Sequence, residues 1–335
     1  MKQRRSRVTL AAVAQAAGVS VGTVSKAMNG TGQLRAETRT RVMMIARELG
    51  LRPSSMRHDP DLSEMLTIGV LTSDSYGRFT IPLMLGAEDA FGLGKVSVLM
   101  CDGRDDPLRE EFYIRFLVQR RVDGVIVTGK STDPRPSLGR DLPFPLLYAY
   151  QPSEDPEDSS IIPDHVDVAR LAVDHLMDLG RSRIAHITGP ARQTVVRERV
   201  HGTSAALARH GIALRLDALA GEWSEEWGRR AARRIVQSAP DVDGVFCASD
   251  EIARGAVAEF ISAGVSVPER IAVIGVDNWS VLAEASRPRL TSVDLELGRL
   301  GYWAAKGLEE AIHGRAPLPK GVRRLPGSLV RRESA

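Results

Sequence analysis

The chain has 335 residues, 43% hydrophobic and 26% charged, the profile of a soluble globular protein with material for two or three cores. No apolar run approaches the roughly 20 residues of a membrane span. Cys101 and Cys247 each sit inside an apolar run and read as buried thiols of a reducing compartment, not as a disulfide. The net charge of +3 is uneven: residues 1–60 hold eleven Lys/Arg against three acids, a net of +8, and the rest of the chain is −5. A basic head on an acidic body predicts a polyanion partner for the head alone.

The first elements decide whether that head is a folded module or a secretion signal. MKQRRSR followed by a mostly apolar stretch from Val8 to Ala17, in which Ala14-Gln15-Ala16 resembles a cleavage site, imitates a signal peptide. The stretch is alanine-rich, however, and carries Thr9. Two amphipathic helices also follow it, which no removable leader explains. Leu10, Val13, Ala14 and Ala17 fall on one face of a helix that Thr9 can cap and Gly18 can end. A second short helix starts at Ser20 or Val21, with Val24, Ala27 and Met28 inward, and stops at Asn29-Gly30. A third, roughly 36–49, places Val42, Ile45, Ala46 and Leu49 on one face. Three short helices with a glycine turn between the first two make a helix-turn-helix domain.

The run VTLAAVAQAAGVSVGTVSKAMNG, with ETRTRV and ARELGLRPS after it, resembles the head of the LacI/GalR family of bacterial transcription regulators. It follows the family pattern T-[IL]-x-x-V-A-x-x-A-G-V-S-x-x-T-V-S-x-x-[LIVM]-N at nearly every fixed position. The resemblance implies that Val21, Gly22 and Lys26 occupy base-reading positions of the second helix, which lies in the major groove. Lys26 can donate to guanine O6/N7, Val21 can touch a thymine methyl, and Gly22 offers nothing to read with. It likewise implies that Thr9, Ser20, Thr23, Ser25, Asn29, Thr38 and Ser54 grip phosphates, which set register without carrying sequence information. Helix capping is a second role for Thr9 and Ser20. The chain departs from the family at the hinge: SSMRHDPDLSEM puts Pro60 where the family has the leucine that wedges into the minor groove, and Pro60 disfavours helix at Asp59. Leu62 could replace that wedge only with a shift of register.

From Leu66 strands alternate with helices. The strand candidates are 66–72, 96–101, 124–129, 146–150, 183–189, 244–249 and 271–277. The helical segments between them cover 81–92, 107–120, 166–180, 197–211, 225–237 and 250–264. This alternation predicts doubly wound parallel sheets, and their number predicts two lobes. The Pro/Asp/Ser-rich stretch 151–164 reads as the lobe junction. The expected organisation is an all-α helix-turn-helix head over 1–52, a hinge over 53–65 and an α/β body of two periplasmic-binding-protein-like lobes over 66–335. Lobe 1 would take about 66–163 and 293–320, and lobe 2 about 164–292 and 321–335.

Ligands of such sheets collect beyond the carboxyl ends of the strands. Asp74, Asp102, Asp250 and Asp277 stand there, and a carboxylate so placed can accept from two neighbouring hydroxyls of a sugar or a ribose. Capping of the next helix is the favoured role for Asp250, ligand contact for Asp277. GRSRIAHITGP, RERVHGTSAAL, FCASDEIARGAV, VPERIAVIGVDN and RPRLTSVDLELGRLG are similar to recurring blocks of the same family. That resemblance implies effector contacts from Arg199, Asp277 and Asp164, with Trp223 where an aromatic ring can stack on a sugar. Trp223 could equally be a packing residue. His165 and Val168 depart from the pattern around Asp164.

GVIVTGKS matches a phosphate-binding loop only in form, because its variable residues are the strand itself and two prolines follow Lys130. No nucleophile elbow, dinucleotide fingerprint or metal-ligand spacing is present, so no enzyme, cofactor or metal is expected. The expectation is a cytoplasmic, DNA-binding repressor. It would bind a pseudo-palindromic double-stranded operator as a homodimer and be gated by a small effector, a carbohydrate or a nucleoside. A periplasmic-type sugar-binding protein without a DNA role is the alternative.

Overall fold

The computed structural model describes residues 9–28, 34–49, 65–92 and 94–335. The chain divides into two compact units between Leu66 and Thr67.

In the first unit, α1 (Leu10–Ala17) starts at the Thr9 cap, whose side chain accepts from the Ala12 N–H, and ends on Gly18 at φ 62°. Only glycine adopts that conformation without strain, so the chain turns there. α2 (Val21–Met28) and α3 (Ala36–Glu48) follow. Val13, Ala14, Ala17, Val24, Ala27, Met28, Val42 and Ala46 bury together, with Ile45 packed at the edge. Leu49, expected on the same face, is 39% exposed because α3 ends before it. The hinge expectations at Pro60 and Leu62, and the contacts of Asn29 and Ser54, lie outside the described residues.

The second unit runs, in chain order, β1 (Leu66–Thr72), α4 (Thr80–Phe91), β2 (Val96–Asp102), α5 (Pro107–Arg120), β3 (Gly124–Val127), β4 (Leu146–Ala149), β5 (Ser159–Pro163), α6 (His165–Asp178), β6 (Ile184–Thr188), α7 (Thr194–Arg209), β7 (Leu219–Ala220), α8 (Glu225–Ser238), β8 (Gly244–Cys247), α9 (Asp250–Ser262), β9 (Ala272–Val276), α10 (Ser280–Ala283), β10 (Thr291–Asp294), α11 (Leu297–Ile312), β11 (Gly321–Leu325) and β12 (Ser328–Val330). Two six-stranded sheets result, ordered β11-β5-β4-β3-β1-β2 and β12-β10-β9-β8-β6-β7. β12 pairs antiparallel with β10, and the pairs β11/β5, β5/β4, β4/β3 and β3/β1 of the first sheet are parallel. Each sheet with its helices is one lobe. Leu71, Leu117, Val125, Val127 and Tyr148 centre the first core, and Ile187, Val245, Ile252, Phe260 and Val273 the second. Cys101 and Cys247 are both buried and unbridged.

The chain crosses between lobes after β5, after β10 and after β11. Two expectations change. The stretch read as a lobe junction contains β5, a buried strand between β4 and β11. Its serines read as loop, yet Ser160 Oγ accepts from the Ser153 N–H and so is satisfied inside the sheet. Second, β10 lies in the second sheet and β11 in the first, so the later crossings fall after 294 and after 325, not at 293 and 321. Strand pairing at long range sets those points. The helix α11, absent from the expected series, packs on α4. No helix of the described residues is long and apolar enough to cross a membrane.

Candidate functional sites in the head and the inter-lobe cleft

Burial of Val24, Ala27 and Met28 turns the opposite side of α2 outward. Val21 is 47% exposed, Gly22 and Lys26 are exposed, and a Cβ added at Gly22 would meet nothing nearer than Ser20 Oγ at 3.8 Å. Ser20 Oγ accepts from the Thr23 N–H at 3.1 Å and lies 2.9 Å from Thr23 Oγ1, so both hydroxyls stand at the helix start. No acid occupies the first turn of α1 or of α2, which leaves the positive end of each helix dipole for an anion. Thr9 is exposed and caps α1 through a 3.4 Å bond from the Ala12 N–H. Ser25 and Thr38 are half-buried on α2 and α3.

In the second unit a cavity of about 400 Å³ opens between the lobes, within the range of small-molecule sites. Lobe 1 supplies Arg78, Phe79, Lys130, Ser131, Thr132 and Tyr150; lobe 2 supplies Gln193, Val195, Arg199, Trp223, Ala248, Ser249, Glu251 and Asp277. Phe79 and Tyr150 stack with centroids 4.6 Å apart. Tyr150 (φ 71°) and Asp277 (φ 99°) both hold left-handed backbone, the kind of strain that collects at functional sites. Among the cavity residues, Arg78 Nε, Arg199 Nε and Thr132 Oγ1 are buried with no hydrogen-bond partner among the described residues. Buried donors without partners are rare and call for a ligand or water.

Three of the five expected effector residues meet here. Arg199, one turn into α7 and 3% exposed, donates to the Ala248 carbonyl at the end of β8 and, at 3.3 Å, to His165 Nδ1. Burial holds His165 well below the usual histidine range, so the ring is neutral and can accept from a cation. Asp277 follows β9; burial pushes its carboxyl up, against the pull of the Arg78 and Arg199 guanidinium groups. Trp223 lies over Gly189, where an added Cβ would strike the ring at 2.2 Å, and its Nε1 donates to Gln193 Oε1 at 2.7 Å. It packs against the lobe 2 core and also lines the cavity.

The other carboxylates are diverted. Asp74 does not line the cavity: its Oδ2 accepts from the Phe79 and Thr80 N–H groups at 2.8 and 3.0 Å. It thereby caps α4, whose own N-cap residue Phe79 has no acceptor, and folds the loop that projects Arg78 and Phe79. Asp164 is likewise spent on α6, accepting from Val166 and Asp167 at 3.1 Å each. Asp250 is not the cap of α9; Ser249 is. Asp250 accepts instead from the Trp279 N–H at 2.8 Å and Ser292 Oγ at 2.7 Å. Burial first, and neighbouring Asp277 second, push its carboxyl up to about 7. Asp102 accepts from the Arg104 N–H at 3.0 Å, a local turn. Helix starts and turns present N–H groups that need acceptors, and these acids are nearest.

The cavity residues not foreseen as effector contacts include Arg78, Phe79, Thr132, Tyr150, Gln193 and Glu251. Arg78 Nη2 lies 2.6 Å from Asp277 Oδ2 and its Nη1 3.2 Å from Glu251 Oε1. Arg78, Phe79 and Tyr150 follow the ends of β1 and β4, so the rule that drew attention to strand-end acids applied to them too. Around Lys130, the residues before Thr128 form β3 and no helix follows.

Comparison with known proteins places these sites in context. Residues 9–54 match the model of bacterial regulatory proteins of the lacI family, and residues 173–335 that of a periplasmic binding protein-like domain. The HTH-type transcriptional regulator CelR of Thermobifida fusca is 31% identical over 95% of this chain and 95% of its own length. A CelR–cellobiose complex superposes with TM-score 0.64 at 30% identity, covering 98% of this chain and 100% of that one. A lac repressor dimer bound to operator and the anti-inducer ONPF gives 0.68 at 28% identity, covering 98% of each chain.

Proposed function

Because the chain belongs to the LacI family of bacterial regulatory proteins, and is a DNA-binding transcription regulator, we propose that it is a homodimeric repressor whose hold on a pseudo-palindromic operator is set by an uncharged sugar bound between its lobes. The observation that carries the sugar is the inter-lobe cavity. Trp223 offers a flat apolar face, and Arg199 and Asp277 offer a donor and an acceptor. The cavity's charges are already offset, Arg78 and Arg199 against Glu251 and Asp277, and Lys130 against Asp105 at 2.8 Å. The head gives a periplasmic receptor nothing to do, so the chain works where the chromosome is, in the bacterial cytoplasm. Self-association has support from apolar residues left outside on α4 and the edge strand β2: Ile81, Leu85, Val98 and Met100 are 53, 59, 37 and 58% exposed. Two-fold symmetry then requires an inverted repeat in the operator. Sugar and operator affinities are reciprocally coupled through the lobe angle.

The test is thermal unfolding of the full chain against a sugar panel, with cellobiose first because CelR is the relative solved with it. A ligand at 100 times its Kd raises unfolding free energy by about 2.7 kcal/mol. The shift is expected to vanish in Trp223→Ala and in Arg199→Ala. A panel with no shift, or one whose shift survives both variants, overturns the sugar reading.

The head is tested separately by selecting operator sequences from a random DNA pool. Lys26→Ala is expected to lose roughly 5- to 150-fold in affinity, about 1–3 kcal/mol, and to relax preference at one base pair per half-site. An unaltered selection profile removes Lys26 from base reading.

A further inference from the structure

Arg78 is anchored in lobe 1, in the loop between β1 and α4, yet its guanidinium is held by lobe 2. It bonds Asp277 at 2.6 Å and Glu251 at 3.2 Å, and lies 4.5 Å over the Trp279 ring. The side chain is only 19% exposed, so solvent screens these contacts weakly. A second tie runs from the loop after β3. Asp133 Oδ1 accepts from the Thr194 N–H at 2.7 Å, while Ser131 Oγ donates to Asp133 Oδ2 at 3.1 Å. Thr194 opens α7, the helix that carries Arg199. The helix's own N-cap residue, Gln193, supplies no cap, its Oε1 being taken by Trp223. The start of α7 is thus capped from the opposite lobe. A third polar link, Arg324 to Glu198 at 2.7 Å, sits beside the Leu325 crossover, where parting lobes separate least.

We propose that Arg78 and Asp133 form a two-point clamp across the cleft, and that Arg78 determines how the effector is read because it already occupies Asp277. This rests on the cleft being the effector site. A hydroxyl arriving at Asp277 competes with Arg78 for the same carboxylate. Taking it frees Arg78 from lobe 2, leaving Glu251 as its one carboxylate partner there, and loosens the clamp at that point. The effector's contact with one side chain thereby becomes a change in lobe angle, the quantity that its coupling to DNA requires.

Amide hydrogen exchange of the full chain without any ligand tests the clamp. Arg78→Met keeps the aliphatic stem and removes the charge. Arg78 makes no hydrogen bond to α7, and its charge reaches Arg199 on that helix only through space. The Thr194 N–H is held by Asp133 rather than by Arg199, so faster exchange at Thr194 reports lobe opening. The Thr194 amide is expected to exchange at least about tenfold faster in this variant, with the β8 and β9 amides unchanged. Asp133→Ala is expected to do the same, and Asp133→Asn, which keeps an acceptor, to restore most of the protection. Unchanged Thr194 exchange in Arg78→Met overturns the proposal, as does acceleration spread evenly through β8 and β9, which would mean plain loss of fold. The readout uses no sugar, so a failed sugar screen leaves it standing and its failure leaves the sugar screen standing.

Discussion

Gly301→Val is expected to destabilise the two-lobed unit by at least about 3 kcal/mol, the upper end of the usual cost of overpacking. α11 and α4 touch backbone to backbone. A Cβ at Gly301 would stand 1.9 Å from the Leu83 carbonyl oxygen, and one at Gly86 would stand 1.8 Å from that of Gly298. Neither neighbour is a flexible side-chain end that could swing aside, so the helices must separate. Separation opens space beside Leu83, Leu300 and Ala304, all fully buried. Calorimetry should show a fall in Tm of about 6–12 °C, at roughly 2–4 °C per kcal/mol for a unit of this size. Gly298→Ala is the control: a Cβ there meets nothing within 4 Å, and its Tm should stay within about 2 °C of the parent. A small shift in Gly301→Val would mean that the α4–α11 contact is looser than the structure has it. The contact bears on function because the loop carrying Arg78 and Phe79 leads directly into α4.

Asp277→Ala is the second large effect expected. It leaves Arg78 without its nearer carboxylate and Arg199 without the acid that most favours its charge, in a site where little water reaches either. Removing one partner of a buried pair costs about 3–5 kcal/mol because the other charge stays behind. In an Arg78→Met background the same substitution should cost markedly less, and the double-mutant cycle measures the difference as their coupling. Asp277 also holds φ 99°, where any side chain is strained. Asp277→Gly should therefore be less destabilising than Asp277→Ala by about 1 kcal/mol, the scale of such strain. Equal stabilities of the two would show that the carboxylate alone, and not the backbone, makes the position sensitive. Additive costs in the cycle would show that Arg78 and Asp277 do not act as a pair.

Much was legible in the chain itself, and what was legible is local. The head could be read because its caps, its glycine turn and its i, i+3, i+4 pattern depend on residues within a turn of one another: Thr9 with Ala12, Gly18 with Ala14, Val24 with Ala27 and Met28. The strand–helix alternation of the body follows for the same reason, each strand being a short apolar run with its own period. Arg199 and Trp223 are reached through the family resemblance and Asp277 both through it and as a strand-end acid, and the fold gathers the three around one cavity. Tertiary structure alone decided the rest. β5 is strand because β4 and β11 flank it, not because of its own serines and prolines. Asp74, Asp164 and Asp250 stand at strand ends as Asp277 does, but nearby N–H groups claim the first two and the Trp279 N–H with Ser292 claims the third. Arg78 meets Asp277 across 199 residues of sequence. A carboxylate's role depends on which donor reaches it first in space; donors one turn away are written in the sequence, and donors from another lobe exist only once both sheets have folded.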